Sequence, residues 1–316
     1  MSSIPQAKLH PSYLQIIISF KQWLIALGYC DQTVYVLPQS IKALLFYFES
    51  IGIENPSEIN NEIIKSYYDI LKRRPNKRNG NKLKTSTLNK ELQAIYKFSE
   101  YLNLSQIIKE PALDIQREKV ENIKMDILSL EEIKTLFSLG EGFNPNSLDF
   151  ALFLRDRAML CVFYSCALRR NEGYHLNIDD VILDRNMLYV KHGKYNTERL
   201  VPFTEKTKNN FLAYLEIGRP MLCKNNRQHA FFINYRSRRL NGQSFLNRLN
   251  YMMQKSACPS MLEKKIGIHS LRHSIASHLL QKGVSLKKIA LFLGHKSLES
   301  TQIYTHLLYE SNKLIF

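Results

Sequence analysis

Residues 269–306 read HSLRHSIASHLLQKGVSLKKIALFLGHKSLESTQIYTH. On a helix, positions three and four apart share a face, so His269, Arg272 and His273 gather at the start of a helix that runs on through Ile275, Leu279 and Leu280. A helix N-terminus already favours anions. Two imidazoles and a guanidinium there suit an oxyanion, most simply a phosphate; the same residues also read as a solvated basic helix start. A metal site fits less well, because no Cys or carboxylate stands near in sequence and Arg272 would repel a cation. A second helix through Ile289–Leu293 stops at Gly294, which leaves His295 at its exit beside free carbonyls. Tyr304 follows in Ser300–His306, but as one of 17 tyrosines it reads as readily as a core residue.

Upstream, an apolar helix over Asp156–Leu176 carries Met159, Leu160, Val162, Phe163 and Leu168 and ends in the pair Arg169–Arg170, with Glu172 close behind. Two short β-prone runs, Asn186–Val190 and Arg199–Phe203, flank the turn His192–Thr197, whose tip exposes Lys194. Before these, four helical periods are legible: Tyr13–Leu27, Gln32–Ile51, Asn60–Leu71 and one through Leu88, Leu92, Ile95, Phe98 and Leu102. Thr85, Ser86 or Thr87 could cap the fourth. Between the third and fourth lies a basic, breaker-rich loop, KRRPNKRNGNKLK (Lys72–Lys84). Periodicity is lost over Glu110–Asp126, and the next helix opens with a capping box, Ser129-x-x-Glu132. We expect a helical domain over 1–115, a linker over 116–126 and a second domain over 127–316, with the boundary near residue 125. The fold class expected is mainly α with a small β-sheet.

Each of these signals is weak alone, but their order is not. An Arg, a Lys on a hairpin, His-x-x-Arg, Leu-Gly-His and then a Tyr together resemble the tyrosine recombinase (phage integrase) family, of the Xer and integrase kind. The matching segments are RDRAMLCVFYSCALRRNEGYHL, VKHGKYNTERLVPF, HSLRHSIASHLL and IALFLGHKSLESTQIYTH. The likeness spans about residues 127–310, and the helical first part resembles the family's core-binding domain. Two departures stand out. Ala167 occupies a place where many members carry Gly, a change between small residues; Tyr195 stands where a Gly is frequent, which bears on how freely Lys194 swings.

The resemblance implies a two-domain, C-shaped clamp around duplex DNA and an enzyme that cleaves and rejoins it. Tyr304 would attack a phosphate and form a 3′-phosphotyrosyl bond, conserving the phosphodiester energy without ATP. Arg169 and Arg272 would clamp the non-bridging oxygens, with hydrogen bonds from His269 and His295. His269 would take the tyrosine proton and Lys194 would protonate the 5′ leaving oxygen. Glu172 and His273 would support the site. No metal and no other cofactor is implied. Candidate phosphate contacts are Arg73, Arg74, Lys77, Arg78, Lys82 and Lys84 in the basic loop, and Arg236, Arg238 and Arg239. The implied partners are double-stranded DNA recombination sites and three further copies of the chain in a synaptic homotetramer. The use we expect is integration or transposition of a mobile element. The alternatives are a Xer-like chromosome dimer resolvase, a type IB topoisomerase and a non-catalytic DNA-binding regulator.

Composition agrees with a polyanionic partner. Lys plus Arg number 44 against 28 Asp plus Glu, a formal charge of +16 in 316 residues. Only 12 Gly and 10 Pro exclude collagen-like and low-complexity chains. No apolar run approaches a membrane span, and the first ten residues lack a secretory pattern, so a cytoplasmic protein is expected. Five cysteines without a Cys-x-x-Cys pair suggest buried reduced thiols.

Overall fold

Four amphipathic helices make the first unit: α1 (Pro11–Ala26), α2 (Asp31–Ser50), α3 (Asn61–Arg73) and α4 (Thr85–Leu104). Their apolar stripes close on one core. Phe20 of α1 packs against Phe98 and Tyr101 of α4 with ring centroids 5.3 and 5.4 Å apart. The structure is a computed structural model that describes residues 9–76, 80–119, 126–191, 198–223 and 228–294. The chain divides into two units between Ile123 and Lys124. Asn60 caps α3 by accepting the Ile63 N–H at 3.0 Å. Helix α4 departs from expectation. Its N-cap is Lys84 with no side-chain hydrogen bond, and Thr85, Ser86 and Thr87 lie inside the first turn.

The described ends of the basic loop run antiparallel. Pro75 bridges Lys82, and the Asn76 N–H donates to the Asn81 carbonyl at 2.6 Å. The stretch expected to begin the linker is instead strapped to α4. Asn89 pairs both ways with the Glu118 backbone, at 2.8 and 3.0 Å, and the Tyr96 hydroxyl does the same with Ile115, at 2.7 and 3.0 Å. Leu113 is buried in the first core, and Lys72 pairs with Glu118 at 2.9 Å. Residues 110–118 therefore form an extended strap of the first unit, which reaches into the span expected as a linker over 116–126.

The second unit holds α5 (Leu130–Ser138), α6 (Leu148–Leu160), α7 (Arg170–His175), β1 (Val181–Ile182), β2 (Met187–Val190), β3 (Arg199–Pro202), α8 (Glu205–Ala213), α9 (Arg219–Leu222), α10 (Gly242–Lys255), α11 (Pro259–Leu262), α12 (Ile268–Gln281) and α13 (Leu286–Leu293). The capping box forms as expected. Ser129 N–H donates to Glu132 at 2.7 Å, and Glu132 N–H to the Ser129 hydroxyl at 3.1 Å. The strands pair antiparallel in the order β1-β2-β3, with Leu188 opposite Val201 and Val190 opposite Arg199. Leu188, Val190 and Val201 face the core, while Leu200 faces water. The two-residue strand β1 was too short to show a period.

The expected single helix over Asp156–Leu176 is broken. Helix α6 starts earlier, at Leu148, with Ser147 capping it through the Phe150 N–H. It loosens into a π turn over Cys161–Ser165, ends at a left-handed Ala167 (φ 53°), and the chain restarts as α7. Cys161–Tyr164 and Cys166–Leu168 are buried, so the apolar pattern ran on through the break. The expectation of buried cysteines holds for Cys161 and Cys166 alone; Cys223 and Cys258 are half-buried and Cys30 is exposed, and all five are free thiols. Among the described residues no helix is long and apolar enough to cross a membrane.

Candidate active site

Arg169 does not end a helix; it is the N-cap of α7. That extended position lets Glu172, three residues on, reach back. Its carboxylate accepts the Arg169 backbone N–H at 2.8 Å and the Arg169 guanidinium at 2.8 Å. Gly173 behind it is tightly enclosed, since a Cβ there would stand 2.5 Å from the Phe163 ring. Helix α7 is thereby pressed onto the π turn.

Glu172 is buried to 3% exposure and serves a second arginine. Arg199, the first residue of β3, forks onto both its oxygens at 2.9 and 2.8 Å. Burial opposes a charge on this carboxyl, but the two arginines and the Arg169 N–H outweigh it and bring its pKa down to about 2. Sequence reading passed over Arg199. An arginine at the edge of a β-prone run looks like a surface residue, and its partner is 27 positions away.

Helix α12 begins at Ile268, so His269, Arg272 and His273 fall in its first turns as expected. Arg272 is 4% exposed. One end of its guanidinium donates to the carbonyl of Ala167, the left-handed residue, and the other to the carbonyl of Leu293 at 2.6 Å. Leu293 ends α13, where Gly294 adopts φ 65° and caps the helix. The Arg169 guanidinium donates to the Gly294 carbonyl at 3.0 Å. A Cβ on Gly294 would lie 2.9 Å from Nε of Arg199. Three arginines from three distant segments thus meet at the end of α13, where the helix dipole is negative.

His269 stands exposed at this cluster. Partial loss of water and then the charges of Arg272, Arg170 and Arg169 lower its pKa, with Glu172 opposing. His273 is half-buried on the same helix; desolvation first, then His269 and Arg272, take it down to about 4. One turn further, buried His278 bonds the Tyr164 hydroxyl at 2.9 Å and ties α12 to the π turn. Arg169, Glu172, His269, Arg272 and His273 are therefore assembled in one place. Lys194, His295 and Tyr304 lie outside the described residues.

The candidate phosphate contacts divide. Arg73, Arg74, Lys82 and Lys84 are exposed around the α3–α4 turn, and Lys77 and Arg78 lie outside the described residues. Arg236 and Arg238 are exposed. Arg239 is corrected: its guanidinium donates to the carbonyls of Tyr174 and Leu176, at 2.7 and 3.1 Å, and to the Asn177 side chain at 2.6 Å. Half-buried, it fastens the exit of α7. Among the described residues no three His, Cys, Asp or Glu side chains are grouped to hold a metal ion.

The model of the phage integrase family matches residues 128–311. The chain is 33% identical to the tyrosine recombinase XerD of Oceanobacillus iheyensis over 225 residues, 71% of this chain and 72% of that one. It is 32% identical to the tyrosine recombinase XerC of Pelotomaculum thermopropionicum over 282 residues, 86% of each. In fold it resembles the XerH site-specific recombinase bound to a palindromic difH substrate, with TM-score 0.65 and 18% identity over 99% of this chain and 98% of that one. The Tn1549 transposon integrase in complex with circular intermediate DNA gives TM-score 0.67 and 13% identity over 92% and 94%.

Proposed function

Because this chain belongs to the phage integrase family, the tyrosine recombinases that cleave and rejoin DNA in site-specific recombination, we propose that Tyr304 is its nucleophile and that Arg169 and Arg272 hold the phosphate it attacks. The observation that carries this reading is the convergence of both arginines with His269 at the end of α13. The tyrosine oxygen bonds to phosphorus and the bond from phosphorus to the 5′ oxygen breaks. His269, kept neutral near pH 7 by its lowered pKa, accepts the phenol proton. Lys194 gives a proton to the 5′ oxygen, and His295 donates a hydrogen bond to the phosphate. The two guanidiniums stabilise the added negative charge of the five-coordinate transition state. Attack by a 5′-hydroxyl of another duplex reverses the step, so no ATP is required. Glu172 orients Arg169, and His273 has a supporting role beside His269.

Both units bind duplex DNA in this reading, the first as a helical core-binding domain. Arg73, Arg74, Lys77, Arg78, Lys82, Lys84, Arg236 and Arg238 are its phosphate contacts. Four copies act together in the synapse, and the segment after Tyr304, with Leu307, Leu308, Leu314 and Ile315, joins neighbouring copies in a closed ring. The biological use we favour is integration or transposition of a mobile element. The 86% coverage by a XerC relative favours a second use, resolution of chromosome dimers. Deleting the gene separates them: unresolved dimers mark a resolvase, and failure of a linked element to excise marks an integrase.

Tyr304→Phe is the direct test. It should keep DNA affinity and abolish the SDS-stable adduct between protein and DNA; an adduct formed by that variant refutes the assignment. Lys194→Ala should slow cleavage by ~10²–10⁴-fold. A 5′-bridging phosphorothioate, whose sulfur leaves without a proton, should restore it.

A further inference from the structure

We infer that Arg199 is a positioning residue for strand cleavage: through Glu172 it sets the guanidinium of Arg169, and its own side chain seats the Gly294 exit of α13. The inference rests on the cleavage mechanism proposed above and adds a residue to it.

Glu172 is shared. Oε1 accepts Nη1 of Arg169 at 2.8 Å and Nη1 of Arg199 at 2.9 Å. Oε2 accepts the Arg169 backbone N–H and Nη2 of Arg199, each at 2.8 Å. Arg169 thus meets the carboxylate with one guanidinium nitrogen, while Arg199 holds it with the full fork. The division matters because a guanidinium paired bidentately with a carboxylate is saturated on that edge. With Arg199 in place, the second edge of Arg169 turns to the Gly294 carbonyl.

Charge follows the same logic. Glu172 and Arg169 alone would form a neutral, largely desolvated pair with little attraction for a phosphate. Arg199 makes the trio net positive without adding a carboxylate, in surroundings where charges are weakly screened. The side chain is only 17% exposed, so it is built into the site rather than laid over it. It also touches the turn after α13, where a Cβ on Gly294 would meet its Nε at 2.9 Å and its Cδ at 3.0 Å. Arg199 is the first residue of β3, on the return from the segment that carries Lys194. One side chain thereby connects the β2–β3 hairpin, the phosphate-clamping arginine and the exit toward His295.

The test compares Arg199→Met and Arg199→Lys with Glu172→Gln and the Arg199→Met/Glu172→Gln double variant in the full-length protein. Single-turnover adduct formation is measured on ordinary and 5′-bridging phosphorothioate DNA, with DNA affinity and melting temperature alongside. Arg199→Met should slow cleavage by about 10²-fold, the scale of losing one transition-state donor. DNA affinity should stay within a few fold. The phosphorothioate should not restore the rate, although it restores Lys194→Ala, and the acid limb of the pH–rate profile should move to higher pH. Once Glu172 is Gln, removing Arg199 should cost little more. Arg199→Lys, with a single ammonium and no fork, should recover only part of the rate. Wild-type cleavage by Arg199→Met overturns the inference, as does full rescue by sulfur, which would put Arg199 at the leaving group. Should Arg199→Met fail to fold, a folded Arg199→Lys with the wild-type rate and pH profile overturns it equally. Failure of the wild-type Tyr304 to form an adduct would instead defeat the mechanism itself.

Discussion

Glu172 holds its proton far less tightly than the 4.5 of a free carboxyl: burial raises its pKa, but the Arg199 fork and Arg169 bring it to about 2. A carboxyl with a depressed folded-state pKa contributes stability above its unfolded pKa, and the contribution is lost as pH falls through the folded value. A drop of about 2.5 units corresponds to roughly 3 kcal/mol, withdrawn between about pH 5 and pH 2. His273 acts at higher pH. Desolvation, His269 and Arg272 favour its neutral form, so its contribution is present above 6.5 and lost as pH falls through about 4. Thermal melts from pH 7.5 to 3 should show both losses, and His273→Gln should remove the earlier one. Melting curves of that variant that match the wild type between pH 6.5 and 4 would contradict the assignment. Cleavage by the wild type should rise with pH through a value below 6.5, the signature of His269 as the base. Gly294 is constrained twice, by φ 65° and by contact with Arg199. Gly294→Ala should cost about 1–2 kcal/mol in denaturant unfolding from the left-handed backbone alone, and should also slow adduct formation.

At the level of elements, the turn between α6 and α7 carries the most consequence. Ala167 sits there at φ 53°, fully buried against Ala276, Leu280, Ile289 and Leu293. Smallness was the property visible in the sequence; the left-handed backbone is a second reason why Gly suits this position. Ala167→Gly should relieve strain while losing a buried methyl, leaving stability within about 1 kcal/mol of wild type. Ala167→Val, β-branched in a left-handed turn, should destabilise by more than about 2 kcal/mol in denaturant unfolding. The hairpin, the Ser129–Glu132 capping box and the Gly294 helix stop were legible because each depends on neighbours in sequence. Arg199, Arg239 and the π turn were not. Arg199 and Arg239 find partners 27 and more than 60 residues away, and four consecutive residues of the π turn, Cys161–Tyr164, are buried, which hides the change of helical period. The attachment of residues 110–118 to α4 was hidden for a related reason: its anchors, Asn89 and Tyr96, lie on another element.

Across the whole molecule, two separate cores serve one charge pattern. Each unit buries its own aromatic cluster, so fragments divided between Ile123 and Lys124 should each unfold cooperatively in calorimetry. The acid-sensitive transition should belong to the second fragment alone, because Glu172 and His273 lie there. With +16 overall, binding should weaken steeply with salt, by about 0.9 in log affinity per log salt for each phosphate neutralised. Reversing Arg73, Arg74, Lys82 and Lys84, all exposed around one turn, should flatten that slope. An unchanged slope would show that the turn does not reach DNA.

The arginine cluster also sets an order of events in time. Arg169 reaches the Gly294 carbonyl across 125 residues of chain, and Arg272 reaches Ala167 across 105. A ribosome emits Arg169 long before Gly294, and Tyr304 later still. A nascent chain that stops before residue 293 can bury its first core, but it lacks the Gly294 and Leu293 carbonyls that Arg169 and Arg272 hold. Long-range closure of this kind is slow to form. For an enzyme that cleaves and rejoins DNA, competence to cut therefore arrives only after α13 has been made.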